Sequence, residues 1–175
     1  MNLELEGRTC MVSGASAGIG AGIVRTLAKL GVRVGATARR LDRIEALVES
    51  VVAEGGVRPL ALACNITDAA DVAHLVDEAL ARLGKVDILI NCAGGSRPTT
   101  TEADDAFWDE AFALNFTAAR RLTTALLPGM RQRRWGRILN ISGSMEPRGL
   151  NAAMAAKAAL HLWAKGLACD VAAEA

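Results

Sequence analysis

Gly14-Ala15-Ser16-Ala17-Gly18-Ile19-Gly20 follows a short apolar run that ends at Ser13. Glycines at this spacing let a turn adopt dihedrals that other residues resist, and let a pyrophosphate come close to the backbone. If a helix starts at Gly18, its free N–H groups and positive dipole end face the phosphates, with Ser16 and Ile19 in the same turn. With 17 glycines in 175 residues the spacing alone is weak evidence. Its position between a strand and a helix strengthens it, against the alternative of a purely structural turn. No Lys-Ser or Lys-Thr pair follows, so the phosphate loop of NTPases is excluded.

The second apolar run ends in Thr37-Ala38-Arg39-Arg40, with no acid before Asp42. A carboxylate there would hold the adenosine ribose hydroxyls of NAD, whereas a basic residue suits the 2′-phosphate of NADP. Arg39 and Arg40 are able to grip a phosphate bidentately. The alternative is two solvated residues opening a helix. The pattern predicts NADP(H) as cofactor.

The elements that must position these residues alternate. Apolar runs at Thr9–Ser13, Val32–Ala36, Leu60–Cys64, Val86–Asn91 and Arg137–Ile141 read as strands covered on both faces. Helical patterns fill Gly18–Leu30, Leu41–Val52, Ala69–Leu83 and a stretch within Asp104–Arg131. Thr67 or Asp68 caps the third. A last, Ala-rich helix from near Asn151 to the chain end has apolar residues on several sides and is expected to be buried, against the sheet on one side and a partner subunit on the other. Pro98–Thr101 and Glu146–Gly149 mark loops. The alternation predicts an α/β fold: one doubly wound parallel sheet, a Rossmann fold, in a single domain covering 1–175.

Together, Gly14-x-x-x-Gly18-x-Gly20, Asn91-Cys92-Ala93-Gly94, Asn115 and Lys157-Ala-Ala-Leu160 resemble the short-chain dehydrogenase/reductase family in order and spacing along the whole chain. The resemblance implies that Asn91, Ala93 and Gly94 support the sheet and touch the cofactor. It implies adenine contacts from Asn65 and Ile66, a proton relay ordered by Asn115, and a nicotinamide ribose held by Lys157. The implied reaction interconverts a ketone and a secondary alcohol, with 3-oxoacyl thioesters among the expected substrates.

Two departures stand out. The family's catalytic Tyr lies four residues before the Lys, which here is Ala153, and the chain has no Tyr. The family's catalytic Ser position is Gly143, flanked by Ser142 and Ser144; Ser144 either serves or merely bonds a turn. Without a positioned acid, a rate factor of roughly 10²–10⁴ is missing. Lys157 or a water would deliver the proton, and His161 and Lys165 on the same stripe read as surface groups. The alternative is a catalytically silent NADP(H)-binding homologue acting as sensor or partner subunit. Family members also continue into further strands and a substrate-binding segment, whereas this sequence stops at Ala175 without those strands, so either the polypeptide is longer, which is the expectation, or this is a fragment of it.

Composition narrows the partners. Net charge is +1 and the isoelectric point about 7.7, so nucleic acid is not an expected partner. No uncharged apolar stretch reaches membrane length, and no secretory pattern opens the chain. Cys10, Cys64, Cys92 and Cys169 lie far apart, which predicts free thiols, no metal and a cytoplasmic protein. Arg131, Arg133, Arg134 and Arg137 read as a solvated turn. A small carbonyl or alcohol substrate and a homodimer or homotetramer complete the expectation.

Overall fold

Strands and helices alternate along the chain in the computed structural model, which describes residues 5–172. They are β1 (Thr9–Ser13), α1 (Gly18–Lys29), β2 (Arg33–Ala38), α2 (Leu41–Ala53), β3 (Leu60–Ala63) and α3 (Ala69–Leu83). Then come β4 (Ile88–Asn91), α4 (Asp105–Phe112), a π-helical turn (Ala113–Thr117), α5 (Ala118–Gln132), β5 (Arg137–Asn140) and α6 (Ala152–Ala172). All pairings are parallel, in the order β3-β2-β1-β4-β5. This is the doubly wound sheet that the alternation predicts. Strand order reverses between β1 and β4, which opens a crevice at their carboxyl ends. The register places Ser13 beside Thr37 and Asn91, and Asn91 beside Asn140, at that edge.

Period-2 alternation divides the strands between two cores. Met11, Leu62 and Leu89 pack under α3 and α5 with Leu75 and Leu122. Cys10, Val12, Val34, Ile88 and Ile90 face α1 and α2 with Val24 and Ile44. Asp68 caps α3, accepting from the amides of Ala70 (2.8 Å) and Asp71 (2.9 Å), which decides between the two expected caps.

The sheet's opposite edge is pinned by buried Asp87. It accepts from the Thr9 amide (3.1 Å) and hydroxyl (3.3 Å), and Lys85 lies 3.1 Å away. Burial pushes its carboxyl up, but the Thr9 donors and Lys85 outweigh this and leave it below its ordinary value.

The last helix is covered on one side only within the chain. Ala152, Ala153, Ala156 and Leu160 are buried, but Leu162 is 73% exposed. The sheet ends at β5, so the second half of α6 has no further described strand to pack on. Among the described residues, no helix is long and apolar enough to cross a membrane.

Candidate active site

The glycine turn closes on the loop that follows β4. Gly14 has φ +71°, and a Cβ there would sit 2.7 Å from the Ala93 Cα. A Cβ on Gly20 would run into the Gly14 carbonyl oxygen, so both positions are barred to larger residues by backbone. Gly18 has φ +56° and open space, so there the dihedral alone selects glycine. Ser13 joins the two loops. Its Oγ accepts from the amides of Cys92 (3.1 Å) and Ala93 (3.2 Å) and donates to the Ile90 carbonyl (3.5 Å).

α1 starts at Gly18 with no side-chain cap, because Ala17 precedes it. Its first N–H groups are therefore left for an outside acceptor. Ser16 is half-buried beside them, and Ile19 is 65% exposed, an apolar flank to that opening. Arg39 and Arg40 stand exposed where β2 leads into α2, with no ion pair or hydrogen bond among the described residues. A cradle that a Cβ would fill, an uncapped helix start and two unpaired guanidiniums together fit a phosphorylated dinucleotide.

At the end of β3, Asn65 accepts from the Thr67 hydroxyl (2.8 Å) and is exposed, while the Ile66 side chain is buried in the α3 core. Only the backbone of Ile66 is thus left for a ligand. Asn91 is buried and donates to Thr123 (3.2 Å) and Asn140 (2.9 Å), which ties β4 to β5 and α5.

The π-helical turn lifts Asn115 out of regular helical bonding. Its Nδ2 donates to the carbonyls of Ala111 (2.9 Å) and Gly95 (3.0 Å), and its Oδ1 accepts from the Gly95 amide (3.1 Å). Such turns recur at functional sites. Lys157 comes in from α6, donating to the Ile141 carbonyl (2.8 Å) and weakly to that of Ala93 (3.5 Å). Gly94 lies between the two: a Cβ there would be 2.9 Å from Asn115 Oδ1 and 3.3 Å from Lys157 Nζ. Burial pushes the Lys157 ammonium below its ordinary pKa, and the neighbouring Cys92 opposes this; burial also pushes the Cys92 thiol up.

The two serines divide. Ser142 Oγ donates to the Lys157 carbonyl (3.3 Å), while Ser144 Oγ closes a turn with Glu146, accepting from its amide at 3.0 Å. His161 and Lys165 are exposed on α6. Ala153 is 8% exposed and walls a cavity of about 150 Å³ between α4, α6 and the loop after β4.

Three groups escaped the reading from sequence. Ser13 looked like a strand terminus, although a hydroxyl ahead of the glycine turn was a usable signal. Asn151 caps α6 through Met154 N (3.0 Å) and donates to Ser96 Oγ (2.9 Å), joining two loops 55 residues apart. Arg97 pairs with Glu110 and lies 4.9 Å over the Phe107 ring. Nothing in their spacing announces either contact.

With this geometry in view, the short chain dehydrogenase model matches residues 8–175. The chain belongs to the short chain dehydrogenase family. A 3-oxoacyl-(acyl-carrier-protein) reductase of Escherichia coli (strain K12) is 34% identical over 174 residues, 97% of this chain and 70% of that protein. A metagenomic short-chain oxidoreductase solved with NADP superposes with a TM-score of 0.91 at 33% identity, covering 97% of this chain and 79% of that one. A 7α-hydroxysteroid dehydrogenase solved with NADH and 7-oxo glycochenodeoxycholic acid gives 0.91 at 32% identity, covering 97% and 68%. The chain spans 56% of the length of one curated relative it matches and 70% of another. Membership supports a nucleotide-dependent oxidoreductase acting on ketones or alcohols.

Proposed function

We propose that this chain is the dinucleotide-binding part of an NADP(H)-dependent oxidoreductase that interconverts a ketone and a secondary alcohol. The observation that carries the cofactor choice is the unpaired Arg39–Arg40 pair at the end of β2, where an acid would favour NAD. Gly14, Ser16, Gly18, Ile19 and Gly20 would receive the pyrophosphate, Asn65 and the Ile66 backbone the adenine, and Ala93 and Gly94 the nicotinamide side. When bound, the nicotinamide supplies or accepts a hydride.

The chain's own groups then hold and orient. Lys157 has a third ammonium hydrogen beyond its two carbonyl partners, and this is the donor offered to a ribose hydroxyl. Asn115 fixes Gly95, and with it the loop that faces substrate. Ser144 or Ser142 would bond the carbonyl oxygen after leaving its present partner. Substrates resembling 3-oxoacyl thioesters fit the first of the relatives above. A homodimer or homotetramer would cover exposed Leu162 and the α5–α6 groove of about 440 Å³ beside Trp163 and Leu167. Four free thiols suit a reducing, cytoplasmic setting.

One observation favours a second reading. Ala153 puts a methyl where the family has its phenol, so a silent NADP(H)-binding subunit would look the same in every other respect. Nicotinamide fluorescence titration tests the shared premise. NADPH should bind roughly ten- to a hundredfold tighter than NADH, through charge-assisted bonds that Arg39→Ala removes. Equal affinities, or no loss in Arg39→Ala, would overturn it. Turnover of ketones with NADPH then separates enzyme from silent subunit.

A further inference from the structure

The cavity beside Ala153 has a definite size and an uneven chemistry. Its volume is about 150 Å³, and Phe107, Leu114, Ala152 and Ala153 supply apolar wall. An apolar cavity of about 150 Å³ is large enough to take up a benzene ring. Its polar lining mixes donors, on Ser96 and Arg97, with acceptors. Asn115 has spent both amide hydrogens on the carbonyls of Gly95 and Ala111, so only Oδ1 has capacity left. Glu110 uses one carboxylate oxygen on Arg97, which leaves the other available. A ligand that matches these walls is a flat ring carrying a hydroxyl, which both donates and accepts.

We propose that this cavity is a binding site for a phenolic ring, with phenol its smallest ligand and a hydroxyaryl group of a larger molecule its natural occupant. The ring occupies the space against Ala153 and Leu114, and the hydroxyl donates to Asn115 Oδ1 or Glu110. The ring lies one helical turn from Lys157, because Ala153 and Lys157 are i and i+4 on α6. The site therefore adjoins the proposed cofactor centre, yet its occupancy is measured without any cofactor.

The test is a titration of the whole chain with phenol, followed by ¹H–¹⁵N NMR. The Gly95 amide, which bonds Asn115, is the reporter. The expected result is saturable binding that shifts Gly95, with benzene about tenfold weaker for want of the hydrogen bond. Ala153→Phe fills the space without adding a hydroxyl and should abolish the shift. Ala111→Leu fills it from the α4 side if the first variant does not fold. No saturable binding, benzene as tight as phenol, or undiminished binding in whichever filled variant folds would overturn the proposal. NADPH titration of the same samples reports on the dinucleotide reading separately, so either can fail without the other.

Discussion

Replacing Ser13 with Ala removes one oxygen and orphans two amides. In the native chain Ser13 is buried, and its Oγ accepts from Cys92 N and Ala93 N at 3.1 and 3.2 Å. A donor left unsatisfied in a largely buried place costs about 1–3 kcal/mol. The loop has no room to move toward β1 and re-pair, because Gly14 already abuts the Ala93 backbone. Half-burial lets water reach part of the loop, so the low half of the range applies to each amide. The sum is about 2–4 kcal/mol. For a chain of this size each kcal/mol moves Tm by about 2–4 °C, so Ser13→Ala should melt roughly 4–16 °C below wild type.

The assay is a thermal melt followed by circular dichroism, with Ser142→Ala as control. Ser142 is exposed with a single bond to the Lys157 carbonyl, and its loss should move Tm by no more than about 2 °C. NADPH affinity should fall with Ser13→Ala and hold in the control, since Ser13 ties the Cys92 and Ala93 amides to β1. A Ser13→Ala protein that melts within about 2 °C of wild type would refute the reasoning. The amides would then be satisfied by solvent, and the loop would not depend on β1.

Other perturbations follow from the same geometry. Because the folded pKa of Asp87 is lowered, its contribution is full above the ordinary value of 3.8 and lost as pH falls through the folded value. Urea titrations across pH should show that acid loss in wild type and a flatter profile in Asp87→Asn; parallel profiles would count against the Thr9–Lys85 pairing. Ala153→Tyr should raise ketone reduction by NADPH by about 10²–10⁴-fold, with less overpacking strain than a full core would impose because the adjoining cavity receives the ring. A folded, cofactor-binding variant with no gain would favour the silent subunit. Light scattering should find a dimer or tetramer at micromolar concentration, and a monomer would argue against the α5–α6 interface.

The parts of the fold legible in the sequence were those written in periodicity. Both faces of β1 and β4 are covered, so their residues run apolar without a break, and Thr9–Ser13 was placed to the residue. Boundaries blurred where burial outlasts pairing. Val86 is buried like a strand residue, but β4 begins only at Ile88, because β1 has no earlier partner for it. The outer half of α6 shows a related limit: composition records that a helix is apolar, while the sheet's extent decides how much of it the chain itself covers. In the site, residues fixed by backbone geometry (Gly14, Gly18, Gly20) were readable. Contacts made across long separations were not. Ser13 meets Cys92 and Ala93 some 80 positions later, and Asn151 meets Ser96, pairings that only the strand order creates.

The state of Lys157 bears on which reading of the site holds. Taking an ammonium partly out of water is costly, and the lowered pKa records that cost. Its return in folding is small: one good carbonyl bond to Ile141 and one long bond to Ala93. A residue placed only to tie α6 to β5 would do so better with both bonds short, or with a neutral donor. Among the described residues the third hydrogen has no acceptor, and Gly94 keeps the space beside Nζ clear where any Cβ would approach to 3.3 Å. That arrangement suits a hydroxyl-bearing ligand arriving from the crevice, and it does not require a phenol at position 153. Under the proposed function, ribose holding and proton supply are thus separable. The first would rest on Lys157, Gly94 and the Asn115-clamped loop. The second is open at Ala153, next to a cavity shaped for a ring that brings its own hydroxyl.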